Sequence, residues 1–265
     1  MSSIGLYARA IKRTALSGRP AVGRLDARLV FVFGSPRSGT TFLAGAIGSL
    51  PGFVDLGEVN PLKSAIPDVS ARDVRVVLDR VRRFGLVGAR RAVEQTPEIA
   101  FVVPAVAQAY PEATLVHAVR DGRDAVCSLL ERGWLSAGRQ GADDAGLGFG
   151  AHARFWVEPG REDEFRSVSD ARRCAWAWRR YVSAARGSGV PVTEVRYERL
   201  ATEPSVVAGD LARALGLPVA SVVQALGEAH AASVGRWRRD LTPAQLADVE
   251  AEAGTLLDEL GYVDE

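Results

Sequence analysis

Residues 29–41 read LVFVFGSPRSGTT. The apolar run Leu29–Phe33 ends at Gly34 and is typical of a buried strand in a parallel sheet. Helical character follows over residues 40–50. A strand, a glycine turn and a helix start bring unpaired backbone N–H groups and the positive end of the helix dipole to one point. The turn is therefore predicted to bind an anion.

The rest of the chain alternates between strand and helix patterns. Strands are predicted at residues 114–119 and 192–195, and a helix over 121–132 should begin with Asp121 as its N-cap. Further helices are predicted near residues 70–84, 98–110, 169–187, 204–215, 218–231 and 243–260. This alternation favours an α/β fold with three layers, α/β/α, around a central parallel sheet. Residues 133–168 break the rhythm and are predicted as either a functional lid or a solvated insertion.

Composition excludes several classes of protein. A net charge of +1 argues against a general nucleic-acid coat. Cys127 and Cys174 have no ligand-spaced partner, so neither a metal site nor a disulfide framework is predicted. No apolar stretch has the length of a membrane span or a secretory signal, which favours a cytoplasmic protein. Residues 1–28 are predicted as an N-terminal extension before a single domain at 29–265.

The glycine turn differs from a nucleotide triphosphatase loop in one position. Gly34 and Gly39 have the Walker A spacing, and Thr41 stands where that motif has Ser or Thr. The motif's lysine is missing, because position 40 is threonine, and the nearest cation is Arg37. A P-loop nucleoside or small-molecule kinase stays the alternative, although it would also need a carboxylate at a strand end to hold Mg²⁺.

The segment Pro36-Arg37-Ser38-Gly39-Thr40-Thr41 resembles the donor loop of the PAPS-dependent sulfotransferases, Pro-Arg/Lys-x-Gly-Thr-[ST]. The resemblance implies a P-loop-like sulfotransferase fold. It also implies that the loop wraps the 5′-phosphosulfate of 3′-phosphoadenosine-5′-phosphosulfate (PAPS), leaving PAP as product. The residues concerned are Arg37, Ser38, Gly39, Thr40 and Thr41. Backbone amides and a guanidinium stabilise a departing phosphate without a metal, and none is predicted.

A second anion site is expected, because PAPS carries a 3′-phosphate. Arg120 ends a predicted strand, Ser128 lies about two turns into the next helix, and Arg132 follows at i+4. The family has a similar Arg-x7-Ser pattern, and its tyrosylprotein branch adds the later arginine. The alternative is surface ion pairing of Arg123 with Asp124 and of Arg132 with Glu131, which we favour for Arg123 only.

Two later segments also resemble this family. Val195-Arg196-Tyr197-Glu198-Arg199-Leu200 matches its Val-x-Tyr-Glu-x-Leu segment and implies a nucleotide contact for Tyr197, whereas a tyrosine after a strand is otherwise a core residue. Gly235-Arg236-Trp237 matches its C-terminal cofactor loop. Gly235 permits close backbone approach, Arg236 could close over the 3′-phosphate, and Trp237 is expected to pack.

Sulfation of a hydroxyl requires a base. Glu58 stands where related sulfotransferases have a catalytic glutamate after glycine, although a plain loop acid is the alternative. His152, in the 133–168 segment, is the competing base, while His117 and His230 are expected to be structural. Gln95 stands where the family often has a lysine that stabilises the transferring group.

The predicted function is an O-sulfotransferase of bacterial type, with Glu58 and Arg37 as catalytic residues. It would move a sulfuryl group from PAPS to a small-molecule, carbohydrate or glycolipid acceptor by in-line transfer. The 133–168 loop is predicted to shape the acceptor side. A catalytically silent nucleotide-binding protein is the alternative outside the enzymes, and a homodimer is left open.

Overall fold

The computed structural model describes residues 28–58, 66, 69–70, 72–75, 91–143, 146, 148–227 and 231–262. Its strands are β1 (Leu29–Gly34), β2 (Phe53–Gly57), β3 (Arg91–Glu94), β4 (Thr114–Val119) and β5 (Thr193–Arg196). All four neighbouring pairs are parallel, and the strand order is β2-β3-β1-β4-β5. The predicted central parallel sheet is confirmed.

Ten α-helices and two 3₁₀ helices are described along the chain. They are α1 (Thr40–Ser49), a 3₁₀ helix (Pro97–Phe101), α2 (Val103–Ala109), α3 (Gly122–Arg132), α4 (Glu162–Ser167), α5 (Asp170–Arg186), α6 (Tyr197–Thr202), α7 (Pro204–Leu215), α8 (Val219–Leu226), a 3₁₀ helix (Ala231–Ser233), α9 (Trp237–Asp240) and α10 (Pro243–Glu259). Residues 72–75 are also helical. None of these helices is long and apolar enough to cross a bilayer.

Strand β1 lies at the centre of the sheet and faces both helical layers. Its odd-numbered side chains, such as Phe31 and Phe33, join a core that includes residues of α3, α5 and α10. Its even-numbered side chains, Val30 and Val32, join a second core with α1, α7 and α8. Because successive side chains of a strand point to opposite faces, this division establishes the three predicted layers.

One side of the sheet, formed by β2 and β3, was harder to predict than the rest. The strands β2 and β3 are missing from the predicted elements, because each is short and charged residues interrupt or flank its apolar ones. In β2, the Asp55 carboxylate accepts a hydrogen bond from the Gly57 amide at 2.9 Å, and the pairing with β3 shifts register there. A local irregularity of this kind removes the period-two pattern that identifies strands.

Several predictions fall outside the described residues. The extension over 1–28 is described only at Arg28, and the helix predicted near 70–84 only over part of its length.

Two helices differ from the prediction within the described residues. The helix predicted over 218–231 ends at Leu226, where Gly227 follows. Within the 133–168 segment, Glu162–Ser167 form an unpredicted helix, α4.

Candidate active site

The turn after β1 is tightly constrained. Gly34 has φ +149°, and a Cβ there would lie 2.2 Å from the Ala118 carbonyl oxygen on β4. Arg37 has φ +72° and is the only non-glycine residue with positive φ among those described. A left-handed conformation costs an arginine about 1 kcal/mol or more, and such strain clusters at functional sites.

The N-terminus of α1 is open to an anion. Its N-cap is Gly39, with φ +90°, and no side chain caps the first turn. The hydroxyl of Ser38 is buried, and its oxygen has no hydrogen-bond partner within the described part of the chain. Unpaired amides, the helix dipole and an unpartnered hydroxyl together fit a phosphate or sulfate group.

Three arginines converge beside this turn: Arg37, Arg120 and Arg132 form the arginine cluster. The Arg37 Nε donates to Ser128 Oγ at 2.9 Å, and the Arg120 Nη1 donates to the Arg37 carbonyl at 3.1 Å. Burial lowers the pKa of Arg37, and the neighbouring charges of Arg132 and Arg120 lower it further. An anion placed beside Arg37 would offset this repulsion between positive charges.

Arg120 is held by three surrounding elements. The Trp178 indole donates to its carbonyl at 3.1 Å, and its guanidinium lies 4.8 Å from the centroid of the Tyr197 ring. Its Nη2 donates to the Ser233 carbonyl, while the Tyr197 hydroxyl bonds Ser233 Oγ at 3.0 Å. The Arg120 Nε is buried without a partner among the described residues. Tyr197 thus contacts the arginine cluster and is more than a plain core residue.

Asp124 organises the C-terminal loop, a role that sequence reasoning missed. Its carboxylate accepts from the Gly235 amide at 2.7 Å and the Trp237 amide at 3.0 Å. Burial raises the pKa of Asp124 despite these hydrogen bonds. No local pattern could have revealed contacts that span more than a hundred residues. Trp237 is buried, so its predicted packing role is confirmed.

The two ion pairs considered as alternatives for Arg123 and Arg132 are not the ones that form. Arg123 is structural, as expected, but it pairs with Asp121 at 2.9 Å and not with Asp124. Glu131 pairs with Arg236 and not with Arg132, and Arg236 also pairs with Asp240 at 2.6 Å.

These pairings distinguish Arg236, which is ion-paired, from Arg132, which is not paired with a described residue. The hydrogen bond to Glu131 is the main factor that raises the pKa of Arg236. Arg236 therefore lies in an ion-pair network beside the arginine cluster. Arg132 forms no ion pair with any described residue.

A cavity of about 360 Å³ joins the turn to Glu58. Arg37, Thr40 and Thr41 line one part of it, and Glu58 lines another. The remaining lining residues are Pro36, Pro97, Glu98, Leu129, Trp134, Leu135, Ala142, Asp143, Gly148, Phe149, Gly150, Arg154, Trp156, Ala177 and Tyr181. The turn after β1 and the Glu58 carboxylate therefore face one cavity.

Many lining residues come from the 133–168 segment. Leu135 and Trp156 are buried, and Arg154 donates to the Gly148 carbonyl at 2.9 Å and to Asp143 at 3.0 Å. Ala142 and Gly148 form an antiparallel bridge. Described parts of the segment thus form one wall of the cavity, while residues 137–142 are exposed.

His152 is exposed, whereas His117 and Gln95 are buried. His152 is exposed and is not among the described residues that line the cavity. His117 is fully buried and stacks on Phe33 at 5.6 Å between ring centroids, while His230 lies outside the described residues. Gln95 is buried, and its Oε1 accepts from the Thr41 hydroxyl at 3.5 Å.

Comparison with known protein families shows to which family the chain belongs. A family model described as "Sulfotransferase family" matches residues 74–221, more than half of the chain. The chain belongs to the sulfotransferase family. The match includes Arg120, Ser128, Arg132 and Tyr197, but it begins after the turn that follows β1 and ends before the 235–237 loop. No curated protein matches the chain.

Solved structures show the same fold at low sequence identity. The sulfotransferase domain of the Synechococcus PCC 7002 olefin synthase is 15% identical, with 91% of this chain and 96% of that chain covered and a TM-score of 0.53. The sulfotransferase domain from the curacin biosynthetic pathway is 12% identical, covering 90% and 98% with a TM-score of 0.54. The sulfotransferase STF9 of Mycobacterium avium is 13% identical, covering 97% and 96% with a TM-score of 0.51.

Proposed function

We propose that this sulfotransferase uses PAPS to sulfate a hydroxyl of a small-molecule, carbohydrate or glycolipid acceptor. The carrying observation is the cavity that Arg37, Thr40 and Thr41 share with Glu58. In-line transfer needs an anion site for the leaving phosphate and a base for the attacking hydroxyl on the same cavity. The shared cavity supports both assignments.

The proposed donor site consists of the turn and the arginine cluster. Arg37, Ser38, Gly39, Thr40 and Thr41 would hold the 5′-phosphosulfate. The unpartnered Ser38 hydroxyl and the mutually repelling guanidiniums of Arg37, Arg120 and Arg132 support this assignment. Arg120, Ser128 and Arg132 would bind the 3′-phosphate beside Tyr197 and Gly235. Arg236 would contribute only after exchanging Glu131 for that phosphate.

Sulfuryl transfer from PAPS to the acceptor hydroxyl needs no further reagent. The acceptor oxygen forms a bond to sulfur, the bond between sulfur and the 5′-phosphate oxygen breaks, and PAP leaves with that electron pair. The Glu58 carboxylate takes the hydroxyl proton. Arg37 and the N-terminus of α1 stabilise the charge that develops on the departing phosphate. Gln95, which bonds Thr41, can donate a hydrogen bond from its amide but adds no charge.

Nucleotide titration tests the donor site. PAP and AMP differ in the 3′-phosphate, so PAP should bind more tightly than AMP and than ATP with Mg²⁺. Removing one charge-assisted hydrogen bond in Arg132→Ala should weaken PAP about 10- to 100-fold and AMP far less. Arg213→Ala is the matched control, because its side chain is 80% exposed and pairs with Asp210 on the surface. Equal loss for PAP and AMP, or a preference for ATP, would refute the assignment.

Glu58→Gln tests the base separately. The variant should keep its affinity for PAP, since Glu58 lies outside the proposed donor site. Sulfation of any accepted hydroxyl should fall about 10²- to 10⁴-fold, the usual contribution of a general base. The product is followed by mass spectrometry after incubation with PAPS and a metabolite extract. Turnover near that of the wild type would rule out Glu58 as the base.

A further inference from the structure

The peptide unit between Arg120 and Asp121 connects β4 to α3, and both of its polar groups bind side chains that are distant in the chain. The Trp178 indole donates to the Arg120 carbonyl at 3.1 Å, and the Asp121 amide donates to Glu198 Oε1 at 2.9 Å. Because a peptide unit is planar, holding its C=O and its N–H together prevents it from rotating. The direction in which the Arg120 side chain leaves the backbone is therefore fixed by α5 and α6.

The contact with Trp178 depends on close packing against Gly122. A Cβ at Gly122 would lie 2.8 Å from Cδ2 and from Cε3 of the Trp178 ring, so a larger residue would push that ring away. Trp178 is fully buried, and its indole N–H reaches the Arg120 carbonyl from within the core. The carbonyl side of the peptide unit is thus held by rigid packing.

The amide side is held by a chain of hydrogen bonds that ends at Tyr262, which follows α10. The Tyr262 hydroxyl donates to Glu198 Oε2 at 3.0 Å, so the two carboxylate oxygens bind different donors. Burial raises the pKa of Glu198, whereas its hydrogen bonds with the Asp121 amide and with Tyr262 lower it. Burial also raises the pKa of Tyr262, so its hydroxyl stays protonated and donates. Tyr262 itself packs against the core that contains residues of α10.

Glu198 forms no ion pair within the described part of the chain. The neighbouring arginines pair with other carboxylates, Arg196 with Glu194 at 3.9 Å and Arg199 with Glu203 at 2.9 Å. The two hydrogen bonds of Glu198 therefore compensate for the hydration that its half-buried carboxylate loses. A change at Glu198 acts chiefly on the partners in those bonds, the peptide unit before α3 and the hydroxyl after α10.

We propose that Glu198 is a positioning residue for the 3′-phosphate of the donor. Through the Asp121 amide, Glu198 holds the backbone of Arg120, so that the Arg120 guanidinium is aimed at that phosphate. Tyr262 acts one step further away, because it holds the second oxygen of the carboxylate. This inference rests on the proposed donor site, in which Arg120 binds the 3′-phosphate.

The ratio of the Kd of AMP to the Kd of PAP tests this role, because the two nucleotides differ only in the 3′-phosphate. Isothermal titration calorimetry gives both constants for each variant. Glu198→Ala leaves the Asp121 amide without its acceptor and should lower the ratio by about tenfold or more, the usual worth of one hydrogen bond to a charged group. Tyr262→Phe removes one hydroxyl from the chain of hydrogen bonds and should lower the ratio about three- to tenfold.

The conservative variant and a surface variant are the controls. Glu198→Gln keeps an oxygen that can accept from the Asp121 amide and should keep the ratio within about twofold of the wild type. Glu203→Ala removes a glutamate just after α6 whose side chain is 48% exposed, and its exposed ion pair contributes little, so both affinities should stay as in the wild type. Thermal unfolding without nucleotide is measured in parallel. A purely structural role for Glu198 would lower Tm and leave the ratio unchanged.

Two results would overturn the inference: an unchanged ratio in a folded Glu198→Ala protein, or a loss in Glu198→Gln as large as that in Glu198→Ala. If Glu198→Ala does not fold, Tyr262→Phe takes its place, and an unchanged ratio in that variant has the same meaning. A wild-type protein that binds AMP as tightly as PAP would instead refute the proposed donor site. The two failures are therefore distinguishable.

Discussion

Replacing Gly39 with alanine is the sharpest test of the donor turn. Gly39 has φ +90°, and an added Cβ would lie 2.7 Å from Cδ2 of the Tyr197 ring. That ring cannot easily retreat, because its hydroxyl bonds Ser233 at 3.0 Å and the Arg120 guanidinium covers its face at 4.8 Å. The substitution therefore combines backbone strain with overpacking.

The expected magnitude follows from these two effects. A left-handed conformation costs a non-glycine residue about 1–2 kcal/mol, and overpacking adds about 1–3 kcal/mol. Gly39→Ala should lower the free energy of unfolding by about 2–5 kcal/mol, a large part of the about 5–15 kcal/mol that stabilises most domains. At about 2–4 °C per kcal/mol, Tm should fall by about 4–20 °C. Because displacing Tyr197 disturbs Arg120, the affinity for PAP should fall as well.

Gly45 provides a matched control within the same helix. A Cβ at Gly45 meets no atom within 4 Å, so Gly45→Ala should leave stability unchanged or raise it by up to about 1 kcal/mol. Both variants are measured by urea denaturation and by thermal unfolding with and without PAP. A Gly39→Ala protein within about 0.5 kcal/mol of the wild type, as for an ordinary surface substitution, would refute the reasoning.

Two further predictions concern buried polar groups. Asp124→Asn places an amide NH₂ against one of two backbone N–H donors. Urea denaturation should therefore show that the free energy of unfolding falls by about 1–3 kcal/mol, and PAP binding should weaken because the 235–237 loop shifts. Unchanged stability and affinity would contradict this role. Burial raises the pKa of both Cys127 and Cys174 to about 12. Both thiols should therefore resist alkylation at pH 8 until the protein is unfolded, as intact-mass spectrometry would show, and rapid labelling of the native protein would count against their burial.

Part of the candidate site could be predicted because its signals are local. The strand, turn and helix around Gly34 follow from a few consecutive residues whose side-chain period and glycine positions restrict the backbone. Arg120 and Ser128 belong to one strand–helix unit, so their spacing alone indicates that they lie on one side of the sheet edge. The short strands β2 and β3 carry no such pattern and went unpredicted.

By itself, the sequence determined the three-layer fold, the strand–turn–helix unit around Gly34 and the family resemblance, since each depends on residues that are neighbours in the chain. Only the tertiary structure decided which distant groups meet. Asp124 accepts a hydrogen bond from the Gly235 amide, 111 residues away in the chain, and Glu98 accepts one from the Tyr181 hydroxyl, 83 residues away. Such contacts depend on strand order and on how the 133–168 segment packs. Long-range packing also determines the burial of Glu98.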